Sequence, residues 1–161
     1  MLNDVIKAIS IKLNLEFGDT YTIYSEEVTQ GLTEPCFIIL SLNPTQSQVI
    51  GKRYFRQQPF DIHYFPNTQD KNEEMNDVAD KLYNILEYVT IPLTDVEEPP
   101  EEPIPEEPGG PVVPVEPEKD ELRGTRLNHQ IVDGVLHFFV SYNFYVYKKP
   151  ETVDDMEELT V

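Results

Sequence analysis

Few side chains here have the type and spacing for chemistry, and the three histidines come first. Asp61-Ile62-His63 sets a carboxylate and an imidazole two residues apart. On a strand that spacing puts both on one face, because side chains alternate. Such a pair can begin a metal site, but more often it is a plain polar face, which is the reading adopted. His129 and His137 flank Asp133-Gly134, and a hairpin turning there points them to opposite faces, so they share no metal within that sheet. Cys36 sits between Pro35 and Phe37-Ile38-Ile39, the setting of a buried, inert thiol rather than a nucleophile. There is no GxGxxG, Walker loop, GxSxG elbow or HExxH. Carboxylates are dense only in one long segment and in the C-terminal residues, where no pocket would shift their pKa. No catalytic, cofactor-binding or metal residue is assigned, and no enzyme is expected.

Other residues point to interaction. Lys52, Arg53 and Arg56 form a dense basic cluster at a turn of an acidic chain. They are either ordinarily solvated or an ion-pair site for an acidic partner. Phe139, Tyr145 and Tyr147 fall on the side of the last strand away from its apolar stripe. Aromatics there are covered within the domain or by a neighbouring copy. The final stretch, KKPETVDDMEELTV, reads as a frayed tail or as a docking arm anchored by Met156, Leu159 and Val161.

These residues need a scaffold. Leu2, Val5, Ile6, Ile9 and Leu13 recur at three- and four-residue steps, predicting an amphipathic helix capped by Asn3 and stopped at Gly18. Tyr21 to Ser25 reads as a short strand. Pro35 to Leu42 is a central strand covered on both faces, and Asn43-Pro44 turns the chain into Gln46 to Ile50. Arg56 to Phe65 alternates, with Phe60, Ile62 and Tyr64 facing a core and Asp61 and His63 facing away. Met75, Val78, Ala79, Leu82, Ile85, Leu86 and Val89 form a helical stripe, started by Asp70 with Glu73 and ended by Pro92. Asp133-Gly134 then makes a type I′ hairpin. Its register pairs Ile131 with Leu136, His129 with Phe138 and Leu127 with Val140, and the apolar face continues through Tyr142, Phe144 and Val146. The expectation is an α+β single domain. It has an antiparallel sheet of about five strands with two helices on one face, in the order α-β-β-β-α-β-β.

Between the second helix and that hairpin runs EEPPEEPIPEEPGGPVVPVEPE. Residues 95–121 hold eleven acids, one lysine and eight prolines, so they carry −10 of the formal −18. Proline removes amide donors and paired glutamates repel, so the segment is expected to be an extended, polyproline-like insertion outside the core. Val112, Val113 and Val115 are its apolar anchors, suited to touch a neighbouring chain or fold back on the sheet edge. The divisions are a domain over 1–92 and 124–147, an insertion over 93–123 and an acidic tail over 148–161. The acidic balance argues against wrapping nucleic acid or lying on an anionic membrane. The longest purely apolar run, Cys36 to Leu40, cannot span a bilayer, and Met1-Leu2-Asn3-Asp4 has no basic signal-like start. A lone cysteine suits a reducing cytoplasm.

Three segments together carry a resemblance: MLNDVIKAISIKLNLEFGDTYTIYSEEVTQGLTEPCFIIL, RYFRQQPFDIHYFP and GTRLNHQIVDGVLHFFVSYNFYVYKK. They resemble a family of small proteins from tail-gene clusters of Firmicutes contractile-tailed phages, prophages and phage-tail-like bacteriocins. That family is similar to tail terminator, or tail completion, proteins. The resemblance implies a virion structural protein of the tail-neck region, assembled in the bacterial cytoplasm. It implies a collar ring, six copies in the type pattern, that caps the head-proximal end of tube and sheath, stops polymerisation and docks a head or cap. The implied partners are further copies of the chain, the tail tube protein, the tail sheath protein and a head–tail connector; DNA passes through the ring without sequence recognition. The related proteins reach RGT through a short loop, so the acidic insertion is a departure whose role is not inherited. A neck adaptor and, from another class, a small ligand-binding domain or enzyme are the alternatives.

Overall fold

The computed structural model describes residues 1–26, 30–68, 71–92 and 119–148. Val112, Val113, Val115, Met156 and Leu159 lie outside those residues, as does Asp70.

Helix α1 spans Leu2–Phe17 and buries Val5, Ala8, Ile9 and Leu13, the stripe its spacing predicts. Its start differs from the expected Asn3 cap. Met1 occupies the cap position without a side-chain bond, and its ammonium pairs with Asp4 at 2.6 Å. Leu2 packs on the core, which draws the first turn into the helix. Gly18 stops the helix as expected, its N–H donating to the Asn14 carbonyl at 2.9 Å.

Four strands follow: β1 (Thr22–Tyr24), β2 (Cys36–Ser41), β3 (Thr45–Ile50) and β4 (Arg53–Phe65). Helix α2 covers Lys71–Ile85, and three strands close the described chain: β5 (Tyr88–Pro92), β6 (Lys119–Val132) and β7 (Val135–Tyr147). The sheet therefore has seven strands rather than about five. Its order is β1-β2-β4-β7-β6-β5, with β3 pairing β4 beyond the end of β2. The β1–β2 pair is parallel and the other pairs antiparallel, so the sheet is mixed, not purely antiparallel. Both helices pack on one face, as expected, and their apolar residues join Phe37, Ile39, Phe60, Ile62, Tyr64, Leu136, Phe138, Val140 and Tyr142 in one core.

Strand β5 corrects the helical reading of Val89. Helix α2 ends at Ile85, and Val89 and Ile91 alternate inward from a strand paired with Lys119–Arg123. Val89 fits a helical step from Leu82 and Leu86 and equally a two-residue step to Ile91. The β-favouring run Tyr88-Val89-Thr90-Ile91 decides for strand. Strand β6 accordingly starts within the residues that composition assigns to the insertion.

The Asp133-Gly134 turn has φ of 52° and 74°, the type I′ geometry, and Ile131↔Leu136 and His129↔Phe138 pair as expected. Leu127↔Val140 does not form. The register slips between Thr125 and Asn128, where Arg126 and Leu127 oppose one residue of β7 and Arg126 takes φ 55°. Beyond this bulge Gly124 docks onto the end of α2, its N–H donating to Glu87 O at 2.7 Å. A Cβ on Gly124 would stand 2.5 Å from Leu86 O. Tyr142 donates its hydroxyl to that same carbonyl at 2.8 Å.

Candidate functional site

Strands β4 and β7 run antiparallel from Tyr64↔Leu136 to Arg53↔Tyr147 and form the axis of the sheet. Alternation sends Phe60, Ile62, Phe138 and Val140 under the helices. It sends Asp61, His63, His137, Phe139, Phe55, Tyr145 and Tyr147 to the opposite face. No described helix packs on that second face. It carries three features: a hairpin arm, a groove and a histidine cluster.

The arm consists of β3, the Gly51-Lys52 turn and the neighbouring ends of β4 and β7. Every residue of β3 is exposed, including Val49 at 53% and Ile50 at 73%. Arg53 lays its guanidinium 3.9 Å from the Tyr145 ring centre and 5.8 Å from that of Tyr147. Phe55 packs on Tyr145 at 5.3 Å, and Lys148 stands 4.3 Å above Tyr54. Cations over aromatic faces are attracted by the ring quadrupole. Of the sequence-predicted interface residues, the structure thus brings Arg53, Tyr145 and Tyr147 together, with Lys52 exposed beside them in the turn. Arg56 goes elsewhere. It sits on the helix-side face, where its Nη2 and Nε donate to Gln46 Oε1 at 2.8 and 3.1 Å. The basic cluster is therefore divided between two faces, as an odd step of three along a strand requires. Among the described residues, none of the three cations lies within ion-pair distance of a carboxylate.

The groove, of about 490 Å³, runs beside the arm and is lined by Leu42, Thr45, Gln57, Pro59, Arg126 and Phe139. Next to it lies the cluster that local sequence reading does not reveal. His63 and His137 are direct partners in the β4–β7 register, and Asp61 is two residues from His63 on the same face. Asp61 Oδ2 lies 2.8 Å from His63 Nε2 and 3.2 Å from His137 Nδ1. His129 stays on the helix side, bonded to Tyr83 at 2.9 Å, so the expected separation of His129 and His137 holds. The signal that finds the cluster is the β4–β7 register, which no turn residue encodes.

Burial holds three groups, Cys36, Tyr64 and Tyr142, in their neutral forms. Burial, with a smaller contribution from Glu34, raises the Cys36 thiol above its usual range, so the thiolate needed of a nucleophile is disfavoured. Burial also raises the phenols of Tyr64 and Tyr142, and Tyr64 is held further by its hydrogen bond to Glu74. Among the described residues no helix is long and apolar enough to cross a membrane.

The described residues form an α+β domain with both helices on one face of the sheet and an exposed β3 hairpin at one end. The family model described as phage tail terminator protein matches residues 4–97 and 114–154, and the chain belongs to that family. Membership gives it a structural role in the phage tail, where it works with other tail components. No curated protein matches the chain.

Proposed function

We propose that the chain is the subunit of a six-membered collar ring that caps the head-proximal end of a contractile phage or tailocin tail. Its lower face matches the last ring of the tube and its upper face does not, so further tube and sheath addition stops there. The upper face then receives a head–tail connector or a cap. Closed rings arise from heterologous contacts between unlike patches of identical subunits. The single observation that supports this reading beyond family membership is the hairpin arm. It projects an exposed edge strand, exposed Val49 and Ile50, and an Arg53–Tyr145–Tyr147 stack past the region that the helices cover. Unpaired strand edges of this kind recruit a neighbouring strand. Lys52, Arg53, Tyr145 and Tyr147 are assigned to the subunit or tube contact, and Arg56 to holding β3 in place. Val112, Val113 and Val115 of the insertion, and Met156 and Leu159 of the tail, are assigned to contacts with neighbouring chains or sheath.

The test is assembly. Mass photometry and negative-stain imaging of the full chain are expected to show rings of six. Adding the chain to polymerising tube protein is expected to shorten the tubes and place density at one end only. A monomer at all concentrations, together with unchanged tube lengths, would remove the proposal.

A further inference from the structure

We propose that Asp61, His63 and His137 form a binding site for a divalent transition metal, zinc in the first place, on the face of the sheet opposite the helices. The donor set is two imidazole nitrogens and one carboxylate oxygen, the combination that borderline metals such as Zn²⁺ and Co²⁺ take. The three ligand atoms all lie within 4.8 Å of one another. Both histidine nitrogens already converge on one oxygen, Asp61 Oδ2, at 2.8 and 3.2 Å. Tetrahedral zinc, with bonds of ~2.1 Å, needs ligand atoms about 3.4 Å apart, so side-chain rotations that draw the two imidazoles in from within the 4.8 Å bound complete the geometry.

Three further observations favour a metal over a simple hydrogen-bonded group. Asp61 is more than nine-tenths buried, and among the described residues its Oδ1 has no hydrogen-bond partner. A buried carboxylate oxygen without a partner is costly, and a cation beside it removes that cost. The ligands also sit on two rigid, directly paired strands rather than on loops, the preorganisation a metal site requires. Finally, the histidines are flanked by aromatic rings, Phe65 at 6.4 Å from His63 and Phe139 at 6.4 Å from His137, which limits access of water. In the metal-free chain the two ring N–H groups donate to Oδ2. With a metal between them, each imidazole carries its proton on its other nitrogen and offers a lone pair instead. The ion then ties β4 to β7 and keeps a coordination position for water or a ligand from a partner. Sharing that position with a neighbouring copy would make assembly metal-dependent.

The experiment uses the untagged full-length chain, stripped with chelator, loaded with Zn²⁺ and dialysed, with bound metal measured by mass spectrometry. One equivalent per chain is expected. His137→Gln and His63→Gln should each weaken binding by more than the ~10–100-fold typical of changes outside the ligands themselves. His129→Gln should leave it unchanged. Metal retained equally by both ligand variants would come from the acidic segments and would overturn the site, as would retention well below one equivalent in the parent chain. Should a ligand variant lose its native circular dichroism, the parent chain loaded with Co²⁺ decides. Intense visible bands of four- or five-coordinate cobalt support the site, and a spectrum matching aqueous Co²⁺ overturns it.

Discussion

The two ends of the β4–β7 ladder have the same backbone pairing and opposite surroundings. From Phe60↔Val140 to Tyr64↔Leu136 the inward side chains are fully buried beneath α1 and α2. From Arg53↔Tyr147 to Gln57↔Asn143 only Phe144 is buried, and Tyr145 and Tyr147 are 48% and 69% exposed. Burial of apolar area is the main stabilising term, so stability concentrates at the first end. The second end inherits rigidity through the shared hydrogen bonds while keeping its aromatic and cationic groups available. One ladder therefore joins an end that carries the stability to an end whose aromatic and cationic groups are more exposed.

The most forceful way to break that comparison is to truncate one ring at each end. Phe138→Ala is expected to cost about 3–5 kcal/mol, since its ring is fully buried against Tyr83. Tyr147→Ala should cost no more than about 0.5 kcal/mol, the range of exposed substitutions. Urea unfolding of the two variants measures both, and equal losses would erase the distinction. A smaller effect is expected at the join between β6 and α2. Gly124→Ala drives a Cβ against the Leu86 carbonyl and within 3.0 Å of Val140 Cγ2, for a cost of about 1–3 kcal/mol. An unchanged melting temperature would show that the bulge relaxes freely.

Tyr142 tests the buried end through pH. Replacing it with Phe leaves the Leu86 carbonyl without its hydroxyl donor, at a cost of about 1–2 kcal/mol. Burial raises the folded phenol above its ordinary value of 10.0, so the unfolded chain releases that proton first as pH rises. The stabilisation is complete below pH 10.0 and is lost progressively above it. Tyr64, raised by burial and Glu74, adds to the same alkaline slope. Stability followed from neutral pH into the alkaline range should fall less steeply in Tyr142→Phe than in the parent; parallel curves would mean that the phenol is not the group responsible.

Much of the buried end is legible in sequence because local patterns determine it. The Leu2-to-Leu13 stripe, the alternation of Phe60, Ile62 and Tyr64, and Asp133-Gly134 each encode their own geometry. Strand β5 is not legible, since Val89 satisfies a helical and a strand period at once. The parallel β1–β2 pairing and the bulge at Arg126 depend on long-range packing, and no turn residue announces either. At the exposed end the residue types stand out in the sequence but their arrangement does not. Its cations and tyrosines stand out by composition, yet only the strand phase separates Arg53 from Arg56. His63 and His137 meet for a reason of register alone, which single-strand reading cannot supply.

The same phase difference gives the sharpest test of the exposed end, where the expected change in folding stability is smallest. Lys52→Glu with Arg53→Glu reverses charge at the turn and on the face opposite the helices without touching the core. Its effect on unfolding should stay within about 0.5 kcal/mol, as for other exposed sites. Assembly should respond instead, with smaller species favoured, most clearly at low salt where surface charges are least screened. Arg56→Glu faces the helix side and loses two hydrogen bonds to Gln46. It should loosen β3 and alter assembly less steeply with salt. Mass photometry across a salt series distinguishes the two. If the double variant and the parent form the same species at every ionic strength, Lys52 and Arg53 do not form an acidic-partner interface.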